Sequence, residues 1–227
     1  MVLDIIEQLN QLDIVLASGS PRRVEYLRNL GLRFRVVAST FEENLDKSQF
    51  NNIVDYAVTN AMYKAQEVFE RLKRENKTPN IVIGADSIVV LDNKILEKPK
   101  SMEHAKEMLR SLSGRQHQVV SGVHIIVSMD NGVTHNSTSF HESTDVEFDQ
   151  LSDQSINYYV ETCKPLDKAG SYGIQEVPAA SFIKRINGCY YNVTGIPIHH
   201  ISNQLRSLYN QFILPSSLAG AQSSSST

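Results

Sequence analysis

The stretch Ile14-Val15-Leu16-Ala17-Ser18-Gly19-Ser20-Pro21-Arg22-Arg23 decides how the chain is read. An apolar β-type run gives way to small residues, and Ser20 is placed to N-cap a helix whose first position is Pro21. Arg22 and Arg23 then fall in the first turn, where the helix dipole is already positive and backbone N–H groups point outward. Two cations there are misplaced for helix stability, but they make sense if an anion sits in front of them, as phosphate groups do at helix N-termini. A pair of solvated surface arginines is the plainer alternative. Their position directly after a buried strand and a Ser-Gly-Ser turn favours the phosphate.

Outward from this stretch, strand and helix patterns alternate. The helix of about 21–30 ends at Gly31, and 34–37 reads as a short strand. Ile53, Ala57, Ala61, Ala65, Val68 and Leu72 recur near helical spacing, which predicts a long amphipathic helix over 53–74. The run 81–90 reads as a buried central strand, and 102–112 as a helix. Segments 119–129 and 133–148 flank Asp130-Asn131-Gly132, a hairpin signal. Ser152 caps a helix to about 162, 181–186 is a strand, and 197–212 is a last helix. This order predicts a single α/β domain over 1–212 with a mixed sheet, and a disordered Ser-rich tail over 213–227.

Bulk properties narrow the partners. A net charge of −3 without a long basic run argues against a surface for nucleic-acid polymers, so any phosphate is bound locally. No run approaches membrane-spanning length, and the start of the chain lacks the basic and continuous apolar parts of a signal peptide. Cys163 and Cys189 have neither C-x-x-C nor zinc spacing and read as reduced thiols of a cytoplasmic protein. A homodimer is the default assembly.

The second informative segment is Ile81-Val82-Ile83-Gly84-Ala85-Asp86-Ser87-Ile88-Val89-Val90. An aspartate within such a strand is costly unless paired, hydrogen-bonded or metal-bound. Gly84 and Ala85 beside it remove bulk, which would let a ligand approach the backbone. Asp86-Ser87 is then either a bulge or strand end with a local hydrogen bond, or a carboxylate at a cleft serving as metal ligand or general base. Lys64, Lys98 (pinned by Pro99) and Lys168, which opens a small-residue loop, could complete an anion site; each alone reads as a surface cation. No Walker-type loop, dinucleotide fingerprint, H-E-x-x-H or G-x-S-x-G motif is present, and the scattered histidines read as structural or surface groups.

These blocks, with Leu112-Ser113-Gly114-Arg115, the loop 167–175 (DKAGSYGIQ) and the segment 188–197 (GCYYNVTGIP), resemble the Maf-like nucleoside triphosphate pyrophosphatases, named for bacterial septum-formation proteins. They occur in family order over about residues 12–210. The resemblance implies a Maf/inosine-triphosphatase-like α/β fold, a mixed twisted sheet flanked by helices with two lobes around a cleft. It implies hydrolysis of the α–β phosphoanhydride of a nucleoside triphosphate to monophosphate and pyrophosphate, with a divalent cation such as Mg²⁺, Mn²⁺ or Co²⁺.

By matching position, Asp86 resembles the proton acceptor that activates water. Ser18, Arg22, Arg23, Lys64, Lys98 and Lys168 resemble substrate contacts, and Glu43 an acidic partner which with Asp86 would hold the metal. Arg22, Ser87 and Gln175 resemble the specificity positions of the dTTP/UTP branch, where an amide can both donate and accept toward a pyrimidine edge. Glu176 departs from the pattern, which has glycine there, and would narrow the loop or bring a charge near the base. The alternatives are 7-methyl-GTP or a non-standard purine nucleotide as substrate, and a nucleotide-binding regulator without turnover.

Overall fold

The computed structural model describes residues 1–215. In chain order its elements are α1 (Ile6–Leu9), β1 (Ile14–Leu16), α2 (Pro21–Asn29), β2 (Arg35–Val36), α3 (Ile53–Arg74), β3 (Ile81–Leu91), β4 (Lys94–Leu96), α4 (Met102–Leu112), β5 (Gln116–Val127), β6 (Asn136–Phe148), α5 (Asp153–Cys163), α6 (Val177–Ala180), β7 (Ile183–Asn187), α7 (Tyr190–Val193) and α8 (Ile198–Leu208). A seven-stranded sheet runs β2-β1-β3-β5-β6-β7, with β4 paired to β3. The β1 pairings are parallel and the rest antiparallel, so the sheet is mixed, as the alternating pattern predicts.

Helices cover both faces. Leu16, Ile83 and Ile125 pack with Leu27 of α2 and Ile201 and Leu205 of α8 in one core. Val15, Val82 and Ile126 point the other way, against Ala65, Val68 and Phe69 of α3, as strand alternation requires. A further core holds Leu109 of α4, Tyr159 and Val160 of α5, and Phe148 and Tyr172. The helix α2 ends in a Schellman motif: Gly31 has φ +95°, its N–H reaches Arg28 O, and Leu32 N–H reaches Leu27 O.

Several expectations change in the structure. Ser20 stands at the N-cap of α2, but its side chain makes no capping bond; Ser18 Oγ instead accepts from Ser20 N–H at 3.3 Å. Gly84 admits a helix, not a ligand: a Cβ there would meet Ala61 O at 2.3 Å. The hairpin over 130–132 forms with a longer connection, built by Ser128 Oγ accepting from Gly132 N–H and by Asp130 accepting from Thr134 N–H. The short strand β4 follows a tight turn at Asp92 and Asn93, both with positive φ. At the other end Ile213 is buried in the first core, after a wider turn over Tyr209–Ile213 that extends α8. Leu214 and Pro215, also placed in the expected disordered tail, continue the helix, and the rest of that tail, 216–227, lies outside the described residues. No helix among the described residues is long and apolar enough to cross a membrane.

Two predictions follow from packing. Gly122 on β5 lies so close to α3 that a Cβ would sit 2.4 Å from Ala57 C, so Gly122→Ala should cost about 3 kcal/mol of stability in denaturant unfolding. His117 and His124 are buried, which pushes each pKa down from 6.5 to about 4. The unfolded chain therefore takes up protons below pH 6.5 that the folded chain refuses until near 4. Stability should fall by about 2–3 kcal/mol per histidine across that window, read as a declining Tm.

Candidate active site

A cleft of about 430 Å³ opens where the first turn of α2, the end of β1 and the middle of β3 meet the loops at 39–43, 167–169 and 193–195. The N-terminus of α2 supplies its floor. The amides of Arg22 and Arg23 belong to the first helical turn and have no intrahelical partner, and Ser20 leaves them uncapped. Arg22 is half-exposed beside them and, among the described residues, makes no hydrogen bond or ion pair, so its charge faces the cleft.

Arg23 behaves differently. It is 8% exposed, and its guanidinium donates from Nε to Gly195 O at 2.9 Å, from Nη1 to Ser18 Oγ at 3.0 Å and Ala85 O at 2.8 Å, and from Nη2 to Ser87 Oγ at 3.0 Å. One N–H of the fork is left over. Arg23, expected from sequence as a triphosphate contact, lines the cleft but spends four of its five donors holding the walls together. Ser18 shares that role, because its hydroxyl accepts from Arg23 and from Ser20 N–H. Ser87 does too: its Oγ also meets Ser121 Oγ at 2.8 Å and Gly195 O at 3.2 Å.

Asp86 sits in unbroken antiparallel register, opposite Gly122 of β5, so it is neither bulge nor strand end. It is 6% exposed and lines the cleft. Lys64 of α3 reaches it at 2.8 Å from Oδ1, and reaches Glu43 Oε1 at 2.8 Å as well. Burial pushes the Asp86 carboxyl above the ordinary aspartate range; Lys64 opposes that shift and Glu43 adds to it. Burial also works upward on Glu43, but Lys64, with Lys98 and Arg23, outweighs it and holds that carboxyl below its usual range. The pair thus divides into a carboxylate kept charged and one poised to take a proton.

Asp86 Oδ2 and Glu43 Oε2 make no protein hydrogen bond among the described residues. They are hard oxygen donors of the kind that hold Mg²⁺ or Mn²⁺ with water and phosphate oxygens filling the remaining positions. No group of three or more potential metal ligands occurs among the described residues, so a cation here would depend on those outside oxygens.

The remaining expected residues fall in different places. Lys98 is exposed, unpaired among the described residues and on the cleft. Lys168 lines the cleft but is buried and already paired with Asp167 Oδ1 at 2.7 Å and Glu176 Oε1 at 2.8 Å. Gln175 does not line the cleft; its amide folds over Gly173, where a Cβ would lie 2.6 Å from Nε2. Glu176 is turned to Lys168 and to the Tyr159 hydroxyl, not to the cleft.

Two functional positions were missed from sequence. The Gly195 carbonyl anchors both Arg23 and Ser87, and Asp167 balances Lys168. Each lies in a segment singled out by motif, but a carbonyl's role leaves no side-chain signal. Five cations face three carboxylates in the cleft lining, an excess suited to a polyanion.

Comparison with known proteins gives a consistent result. Residues 13–208 match the family described as Maf-like protein. A nucleoside triphosphate pyrophosphatase of Dictyostelium discoideum is 59% identical over 188 residues, covering 83% of this chain and 87% of its own length. A dTTP/UTP pyrophosphatase of Clostridium botulinum is 42% identical over 193 residues, covering 85% and 97%. A probable bifunctional dTTP/UTP pyrophosphatase/methyltransferase protein of Homo sapiens is 43% identical over 208 residues, 90% of this chain but 33% of its own.

The geometry separates two kinds of lesion. Arg23→Ala should strip four hydrogen bonds and destabilise the fold by about 3–5 kcal/mol, seen in thermal or denaturant unfolding. Arg22→Ala should leave unfolding within about 0.5 kcal/mol of the parent and weaken binding of inorganic triphosphate.

Proposed function

We propose that this chain, which belongs to the Maf-like protein family, hydrolyses the α–β phosphoanhydride of dTTP and UTP, releasing the nucleoside monophosphate and pyrophosphate. The observation that carries the reading is the buried carboxylate of Asp86 placed on the same cleft as the uncapped α2 N-terminus and an excess of cations. The pyrimidine preference rests on the relatives named dTTP/UTP pyrophosphatases.

The chain's own groups divide the work. The α2 amides, Arg22 and Lys98 hold the phosphates. Lys64 fixes Asp86 through Oδ1, leaving Oδ2 for a water. That water's oxygen bonds to the α-phosphorus as its proton passes to Asp86, and the bond from the α-phosphorus to the bridging oxygen breaks. Pyrophosphate leaves with its new charge balanced by the cations of the cleft. A divalent cation held through Glu43 Oε2, with Asp86 Oδ2 turned to the water beside it, would add charge neutralisation on the phosphate oxygens. Of the three specificity positions the resemblance implies, Arg22 and Ser87 line the cleft, Ser87 with its hydroxyl already bonded to Arg23, Ser121 and Gly195, and Gln175, folded over Gly173, would have to turn to join them.

The test is pyrophosphate release from a panel of nucleoside triphosphates with Mg²⁺ or Mn²⁺. Release from dTTP and UTP is expected, with Asp86→Asn lowering kcat about 10²-fold or more. Because Asp86 must be ionised and burial raises its pKa, the rate should fall on the acid side at a pH above the ordinary aspartate range. Orthophosphate as the first product, or full turnover by Asp86→Asn, would refute the assignment.

A further inference from the structure

Glu176 lies outside the cleft lining, yet it is bound to a residue within it. Its Oε1 is 2.8 Å from Lys168 Nζ, and its Oε2 accepts from the Tyr159 hydroxyl at 3.0 Å. Tyr159 is anchored in the core at 1% exposure, so the carboxylate is held from behind by a fixed donor. Lys168, 8% exposed, also meets Asp167 Oδ1 at 2.7 Å. One buried ammonium therefore carries two carboxylates, and this wall of the cleft sums to one negative charge. A single carboxylate would already neutralise the lysine; the second goes beyond that requirement. It also takes one of the ammonium's three donors.

We infer that Glu176 sets how tightly the cleft holds polyphosphate, acting through Lys168 and not on substrate. The inference rests on the pyrophosphatase reading. An anion site built from a helix N-terminus, Arg22 and Lys98 binds the leaving pyrophosphate with the same groups that bind the triphosphate. With Asp167 alone this wall of the cleft would be neutral, and the cations beside it would hold the product longer and slow turnover, since release often limits kcat. Glu176 makes the wall net negative and so weakens that hold. Its tether to Tyr159 keeps the carboxylate on Lys168, away from the reacting phosphates.

Glu176→Gln tests this, because the amide can offer its oxygen to Lys168 and its NH₂ to the Tyr159 oxygen, removing the charge and little else. Inhibition by inorganic pyrophosphate and the kcat and KM for dTTP are measured on parent and variant, at low and raised ionic strength. The variant is expected to bind pyrophosphate about threefold or more tightly and to lower KM without raising kcat. The difference should shrink with salt, which a merely structural change would not produce. If Glu176→Gln folds poorly, Glu176→Gly must show the same tighter inhibition.

An active variant with an unchanged inhibition constant, or a shift that salt leaves intact, overturns the inference. A parent that binds pyrophosphate but turns over no nucleotide would instead overturn the hydrolase reading, so the two failures are distinguishable.

Discussion

The guanidinium of Arg23 joins three segments that are distant along the chain: the turn after β1 through Ser18, the middle of β3 through Ala85 and Ser87, and the loop after α7 through Gly195. A buried cation is tolerable only where its donors are met and its charge is opposed. Carbonyl and hydroxyl oxygens meet the donors. Burial weakens the charged form of Arg23, while Asp86 and Glu43 oppose its charge across the cleft. The Arg23 guanidinium is thus held by neutral oxygens and opposed at longer range by two carboxylates, while the buried Asp86 has its direct partner in Lys64.

The same economy governs the approach of α3. Gly84 and Gly122 present bare backbone to the helix, opposite Ala61 and Ala57, and the small residues on both sides let the layers close to contact. That closeness is what carries Lys64 to within 2.8 Å of Asp86 from a helix otherwise packed on its alanines. A larger residue at either glycine would lift α3 and take the lysine with it. Backbone packing beside Asp86 therefore sets the electrostatic surroundings of its carboxylate.

Much of this was legible along the chain because it depends on local periodicity. The long helix shows in Ile53, Ala57, Ala61, Ala65, Val68 and Leu72, and the central strand shows in an apolar run whose Ile and Val residues favour a buried strand. Asp86 stood out because a lone carboxylate there conflicts with its surroundings, and conflicts of that kind concentrate at functional sites. Less visible were β4, which rests on a turn of Asp92 and Asn93, and the short helices α6 and α7, each of a single turn and too brief to show a period. Ser20 takes the N-cap position its sequence predicts, but that its hydroxyl leaves the first-turn amides uncapped is settled only by the folded backbone.

The amino-acid order alone determined the alternation of strands and helices, the strand that carries the acid, and the cation-bearing helix start, since each follows from residue spacing within one segment. Only the folded chain decided which cations face the cleft. Arg22 and Lys98 are free toward it among the described residues, whereas Arg23 and Lys168, adjacent to or matching them in sequence character, are consumed by protein oxygens. A basic side chain's availability depends on acceptors brought from segments far away in sequence, and that supply is a property of packing, which no local pattern encodes.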